Sequence, residues 1–319
     1  MASVFTPSQI SAYLHHIHLP PKYHPTNAPP HDLSFLTALH VHTISTIPYE
    51  NITLHYSSSR KISIDPLHAF QKIIGDGRGR GGYCMEVSIL FNHILRGLGF
   101  KAYTAGVRIR LRENGVPSGD FIGWVHLVNI VLLPTGQKYV LDIGFGGDGA
   151  TKPMPLIPNT PQHNMGTQEI RFVHEHIPSQ TQRTEETKLW IYQYRNGPDR
   201  EWNSFYAFPE FEFLQADFRV MNWFTGSSPE SHQTVNVLII KFLRRIKEGG
   251  GDEEEIYGKR MLVNGTVKEN LGGKTRVVQE CGDEPERTEA LEKWFGIRLT
   301  EEEKAAIVGH CSELRGGTP

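Results

Sequence analysis

RGGYCMEVSILFNHILRGLG, residues 80–99, opens on two glycines and a cysteine and continues as a helix. Val87, Leu90, Phe91, Ile94, Leu95 and Leu98 recur at i, i+3, i+4, i+7, i+8 and i+11. That spacing is one apolar face of a 3.6-residue period, and Gly99 closes the helix. Cys84 stands three residues before Val87 and seven before Phe91, which puts it at the helix start on the same face. A thiol there feels the positive end of the macrodipole and unpaired N–H groups, and both favour thiolate. Gly81 and Gly82 permit a tight entry turn and leave space for a substrate to reach the sulfur. Position alone leaves an inert core cysteine open as the alternative.

Outward from this helix the period changes. On the N-terminal side the first hundred residues read as helical: Asp65-Pro66 is an N-cap followed by proline ahead of LHAFQKII, and Ser34 is a candidate cap for FLTALHVHTI. On the C-terminal side apolar and basic residues alternate from Val107 to Arg112, as in a half-buried strand. Strand-like runs follow at 122–133, 138–143 and 189–195, interrupted by prolines 153, 155, 158 and 161. The last hundred residues mix short strands, the charged loop KEGGGDEEE and a terminal helix around EALEKWFG. A helical first part, an antiparallel β middle and an α/β last part result, an α+β chain without internal repeats.

A nucleophilic thiol needs a base, and the base needs an orienting group. The β segments offer both. His126 interrupts the apolar run IGWVHLVNIV, and Asp142 ends YVLDIGFGG, where a buried carboxylate requires a partner. Leu133-Pro134-Thr135-Gly136-Gln137 suits a three-residue hairpin loop with glycine in the left-handed position. That register pairs 133 with 137, hence 128 with 142, and sets His126 diagonally beside Asp142 on one sheet face. A two-residue loop would send the two side chains to opposite faces. A lone core histidine bonded to backbone is the reading this geometry has to beat.

Composition limits the partners. The 319 residues carry 33 Lys+Arg against 35 Asp+Glu, a net charge of −2, which argues against a duplex-DNA or anionic-membrane footprint. Three scattered cysteines suit neither a disulfide framework nor a Cys-rich zinc site. The N-terminal stretch lacks a basic region followed by an apolar one, and the apolar run 235–243 is too short to span a bilayer, so a soluble, cytoplasmic chain is expected.

RGGYCME at 80–86, WVHLVNIV at 124–131 and LDIGFGG at 141–147, in this order, closely resemble the arylamine N-acetyltransferases, in their fungal-type members. SAYL with Ile17, IPYENI at 47–52, FYAFPEFEFLQADFRVMNWF at 205–224 and LEKWFGIRL at 291–299 extend the resemblance over nearly the whole chain. It implies three parts, a helical bundle (1–103), an antiparallel β-barrel (104–212) and an α/β lid (213–319), with a papain-like Cys-His-Asp triad carried onto Cys84, His126 and Asp142. It also implies acetyl-CoA as acyl donor and a small aromatic amine or hydrazine as acceptor, through a cysteine thioester in ping-pong fashion. Malonyl- or propionyl-CoA is the alternative donor, and a Cys-His-Asp amide hydrolase or transglutaminase the rival chemistry. Gly144-Phe145-Gly146 after the aspartate can expose successive N–H groups to an anion. The resemblance implies cofactor contact there, at Gly123, and at Thr225 and Ser227. Three departures, His16 for the usual Arg, Ser88 for Asn and Val125 for Thr or Ser, leave the triad untouched.

Other signals weigh less. Gly77-x-Gly79-x-x-Gly82 and Gly144-x-Gly146-x-x-Gly149 lack the strand-before, helix-after setting of a dinucleotide fingerprint. His15, His16 and His18 have no HExxH or cysteine partner, so no metal is expected. Arg108, Arg110 and Arg112 line one strand face, either solvated or in contact with phosphate.

Overall fold

The computed structural model describes residues 2–316. Helices α1 (Pro7–His16), α2 (Leu33–Thr46), α3 (Thr53–Tyr56), α4 (Pro66–Phe70) and α5 (Cys84–Gly97) are the main elements of the first hundred residues, accompanied by one short strand, β1 (Tyr49–Glu50). Asp65 caps α4 as expected, accepting from the N–H groups of Leu67 and His68. The cap of α2 is Asp32 and not Ser34: its extended backbone lets the carboxylate accept from Phe35 N at 2.9 Å, while Ser34 already lies inside the first turn.

Helix α5 is buried on more than the single face its periodicity predicts. Every residue from Cys84 to Asn92 is buried, because the helix lies between α1 and α4 on one side and strands β2 and β3 on the other. Two of its buried polar members are paired, Glu86 with Lys72 Nζ at 2.6 Å and Asn92 with Asn129 Oδ1 at 2.9 Å, whereas the Ser88 hydroxyl has no partner among the described residues. Glu86, at the third helical position, also reaches back to the Tyr83 N–H at 3.1 Å and so fixes the first turn.

Eight antiparallel strands form the middle: β2 (Lys101–Glu113), β3 (Val116–Leu132), β4 (Lys138–Leu141), β5 (Met154–Pro155), β6 (Gln162–His163), β7 (Gln168–Glu175), β8 (Leu189–Asn196) and β9 (Asn203–Phe208). Their order is β5-β4-β3-β2-β9-β8-β7-β6. Val140 of β4 and Phe172 of β7 share one apolar core, so the sheet curls like a barrel around it. Leu133 N donates to Gln137 O at 3.0 Å, Gly136 is left-handed at φ 86°, and Asn129 pairs with Leu141. The three-residue loop and its register are those read from the sequence.

The last part holds α6 (Gln215–Ser227), α7 (His232–Val235), β10 (Leu238–Ile246), β11 (Glu254–Val263), β12 (Thr266–Asn270), β13 (Arg276–Glu280), α8 (Glu284–Ala290) and α9 (Glu301–Ala306). Of the charged stretch 247–255, residues 247–253 form the turn between β10 and β11, while Glu254 and Glu255 already pair with β10 as the start of β11. Strand β1 joins this sheet, ordered β1-β10-β11-β12-β13, with Tyr49 opposite Ile240. A stretch read as part of a helical region is thus the edge of the C-terminal sheet. Its two residues carry no periodicity that could reveal a partner so distant in sequence.

Strand β1 also lies against the entry to α5. Glu50 N donates to Gly82 O at 3.0 Å, and a Cβ on Gly81 would fall 1.8 Å from Pro48 O. Beneath this contact Glu50, fully buried, accepts from Arg80 Nε at 3.0 Å; Arg80 Nη1 reaches Glu303 Oε1 at 2.5 Å. Burial alone would raise the Glu50 carboxyl, but Arg80 and Lys72 bring it down to about 2. Replacing Glu50 by Gln leaves Arg80 short of its buried counter-charge, and should cost about 3–5 kcal/mol of stability in urea unfolding at neutral pH.

Candidate functional site

A β-bulge sets the direction of His126. Val107 pairs with His126 and Arg108 with Trp124, so Val125 has no opposite number on β2. Its carbonyl oxygen lies 3.9 Å from Cys84 Sγ, within reach of the thiol proton. The His126 ring follows directly. Its Nε2 is 3.0 Å from both carboxylate oxygens of Asp142, which lies just beyond the paired end of β4. A carboxylate only accepts, so Nε2 carries the proton and Nδ1 is the nitrogen left for the sulfur. Asp142 Oδ1 also accepts from Gly144 N at 3.2 Å.

All three side chains are buried: Cys84 is 4% exposed, His126 4% and Asp142 3%. Burial pulls the imidazole down, but the charge and hydrogen bond of Asp142, with Cys84 adding to them, raise it to about 10. Phe145 packs on the ring at 5.2 Å between centroids and rests edge-on against Phe205 at 4.6 Å. The structure brings the three sequence-predicted catalytic residues to one point.

The predicted binding residues divide. Gly123, Gly144, Phe145 and Thr225 line a cavity of about 650 Å³ that Cys84 and His126 share. A Cβ on Gly144 would fall 2.8 Å from the Cys84 Cα, so only glycine lets this loop rest on the start of α5. A Cβ on Gly123 would meet nothing within 4 Å, and there the glycine keeps the cavity wide. Thr225 Oγ1 is buried in the wall without a hydrogen-bond partner. Gly146 and Ser227 are not in the wall. Gly146 turns the loop at φ 91° beside Ile240, and Ser227 is exposed on the last turn of α6.

Sequence reasoning missed most of the wall. Ile109, Leu111, Ile122 and Trp124 come from the β2–β3 hairpin, Val220, Met221 and Phe224 from α6, and Tyr49 and Gln233 from β1 and α7. Asp148 was missed too: Lys259 of β11 and Arg112 of β2 hold it, fastening the loop after Asp142 to both sheets. Those two cations, against the effect of burial, keep its carboxyl far below the usual carboxylate range. The three arginines of β2 are neither free nor simply solvated. Their guanidinium groups cover Trp124 at 4.0 Å, Phe121 at 5.8 Å and Phe205 at 4.6 Å. Among the described residues no cluster of His, Cys, Asp and Glu could hold a metal ion, and no helix is long and apolar enough to cross a membrane.

A buried thiol at a helix start, a strand histidine and its carboxylate lie together beside one largely apolar cavity, an arrangement that acyl transfer through a cysteine can use. Comparison with known proteins agrees. A family model described as N-acetyltransferase matches residues 32–304. The chain is 33% identical over 291 residues to the N-malonyltransferase FDB2 of Fusarium pseudograminearum (strain CS3096), covering 87% of this chain and 82% of that protein. The solved arylamine N-acetyltransferase of Salmonella typhimurium superposes with a TM-score of 0.75 at 25% identity, over 94% of this chain and 97% of that one. The Mycobacterium marinum arylamine N-acetyltransferase, solved in complex with CoA, shares the fold with a TM-score of 0.72 at 22% identity, over 95% and 99%. The chain belongs to the arylamine N-acetyltransferase family and is an acyltransferase of that family.

The raised imidazole has a consequence for stability. A group whose folded pKa lies above its unfolded value of about 6.5 stabilises fully below that value, and loses the contribution as pH climbs through the folded one. The stability advantage of wild type over Asp142→Asn should therefore be widest below about pH 6.5 and narrow steadily toward about pH 10, as read by urea unfolding across that range.

Proposed function

We propose that this chain carries an acyl group from acyl-CoA, through a thioester on Cys84, to the nitrogen of an arylamine or arylhydrazine, with Cys84, His126 and Asp142 as the catalytic residues. The single observation that carries the reading is that His126, hydrogen-bonded to Asp142, lies in contact with the Cys84 side chain where both line the cavity. Asp142 holds the ring with Nδ1 toward the thiol and stabilises the imidazolium that forms when His126 takes the Cys84 proton. The sulfur then attacks the thioester carbonyl, and His126 returns its proton to the departing CoA thiolate. In the second half His126 removes the proton of the attacking amine, and the acyl group leaves Cys84 as an amide. Separate half-reactions of this kind give ping-pong kinetics.

The cavity suits the donor. Its apolar walls can enclose a slender thioester arm, and the Thr225 hydroxyl, without a partner among the described residues, offers a hydrogen bond. Gly123, Gly144 and Phe145 would border the arm, while Gly146 and Ser227 would act at a distance, through loop shape and at the outer rim. Acetyl-CoA is the donor we favour, because the cavity wall contains no lysine or arginine to receive a second charge. Malonyl-CoA is the second reading, favoured by the likeness to an N-malonyltransferase. Processing of small aromatic amines, xenobiotic ones included, follows from the same apolar wall. The divisions at 103/104 and 212/213 belong to the proposal as well; the second is supported by α6 starting at Gln215, while the first falls three residues inside β2. So does a cytoplasmic setting, which the unpaired Cys84, Cys281 and Cys311 suit.

Intact-mass spectrometry after incubation with acetyl-, propionyl- and malonyl-CoA in turn should show one acyl group added to wild type and none to Cys84→Ser. An aromatic amine should then discharge it. Retention of ping-pong turnover by Cys84→Ser would remove the cysteine from its role, and preferential loading by malonyl-CoA would reverse the choice of donor.

A further inference from the structure

Two phenols flank the nucleophile, and only one has a proton to spare. Tyr83, the N-cap of α5, donates its hydroxyl to Asn222 Oδ1. Tyr49 is set beside the sulfur by backbone: β1 runs along Gly82, two residues before Cys84, with Tyr49 itself bridged to Gly82. Tyr49 lines the cavity together with Cys84 and belongs to the same apolar cluster. Its hydroxyl oxygen accepts from Gln233 Nε2 at 2.6 Å, and among the described residues its own proton has no acceptor.

The donor to Tyr49 is itself fixed. Asn51 Nδ2 donates to Gln233 Oε1 at 3.0 Å, which sets the amide with its NH₂ toward Tyr49. The other N–H of that amide faces His232 Nε2 at 2.9 Å, a nitrogen that burial keeps neutral by pulling the ring down. A hydroxyl that accepts a hydrogen bond becomes a stronger donor. Burial, and after it the charge of Cys84, hold the phenol well above its ordinary range, so it remains a donor beside a thiolate.

We propose that the Tyr49 hydroxyl is a further catalytic residue, donating a hydrogen bond to the acyl oxygen as that oxygen becomes an oxyanion at Cys84. The proposal rests on the acyl-transfer reading given above. As the sulfur bonds to the thioester carbon, the carbonyl π pair moves onto oxygen, where Tyr49 O–H holds it without surrendering its proton. When the pair returns, the carbon–sulfur bond to CoA breaks, and the leaving thiolate takes its proton from His126. With an amine as nucleophile the same oxygen charges again, Cys84 departs, and His126 takes the amine proton. The N–H groups of the first turn of α5, which lack intrahelical acceptors, complete the pocket for the charge.

Tyr49→Phe removes one oxygen and keeps the ring. The rate of Cys84 acylation by acetyl-CoA should fall by about 10²-fold, the usual loss for one oxyanion donor. Alkylation of Cys84 by iodoacetamide passes through no oxyanion, so its rate and pH profile should match wild type. Gln233→Ala, which removes the hydrogen bond into the hydroxyl together with the amide's bonds to Asn51 and His232, should slow acylation by a smaller factor and again spare alkylation. A Tyr49→Phe protein that acylates at the wild-type rate overturns the proposal. So does a loss of acylation and alkylation by the same factor in both variants, which would mark a purely structural role. Wild-type protein that takes no acyl group from any acyl-CoA overturns the acyl-transfer reading itself, and this proposal with it.

Discussion

The contact between the His126 imidazole and the Asp142 carboxylate is a charge pair sealed from water, and it exists only because the loop between their strands has an odd number of residues. Side chains alternate along a strand, so changing that loop by one residue would send Asp142 to the other face. Two buried ionisable groups would then stand apart, each bearing a desolvation penalty of several kcal/mol. Gly136, in the left-handed conformation, is the residue that makes the loop possible. The bulge at Val125 completes the arrangement by turning the strand just before the histidine.

A second constraint brings the sulfur to that pair. Pro48 runs so close to Gly81 that no side chain fits between them, and Glu50 N bonds the Gly82 carbonyl beside it. The ion cluster of Glu50, Arg80, Lys72, Glu86 and Glu303 lies directly beneath, joining the start of α5 to the C-terminal helix α9. Lys259 and Arg112 do for the loop after Asp142 what this cluster does for the loop before Cys84. The site is thus gripped by elements from all three regions of the chain, and its precision is a property of the whole fold.

Local signals made much of this legible. The period of α5, the N-cap and proline of α4, and the turn chemistry of 134–136 each act within a few residues, and each is realised in the structure. Parity arithmetic from one turn was enough to place Asp142 beside His126. What escaped was non-local. Tyr49 and Glu50 have no pattern of their own, and their strand partner is Ile239–Ile240. Asp148 reads as one more loop residue until Lys259 arrives from another sheet. The cavity wall is built from side chains of α6 and the β2–β3 hairpin, whose meeting no periodicity encodes. Gly146 and Ser227 illustrate the limit from the other side: a motif position gives proximity to a site without giving contact with it.

Strand β1 has an implication for how the protein is made. Tyr49 leaves the ribosome roughly 190 residues ahead of its partner Ile240, an interval of about 10–40 s at ordinary speeds of translation. Throughout that time the nascent N-terminal half holds Glu50 and Arg80 without the sheet and helix that later enclose them. The helical portion can collapse early, but the groove beside Cys84 takes its final shape only after the C-terminal strands emerge. A half-made chain therefore carries the Cys84 thiol before the sheet that holds Tyr49 in its cavity wall exists.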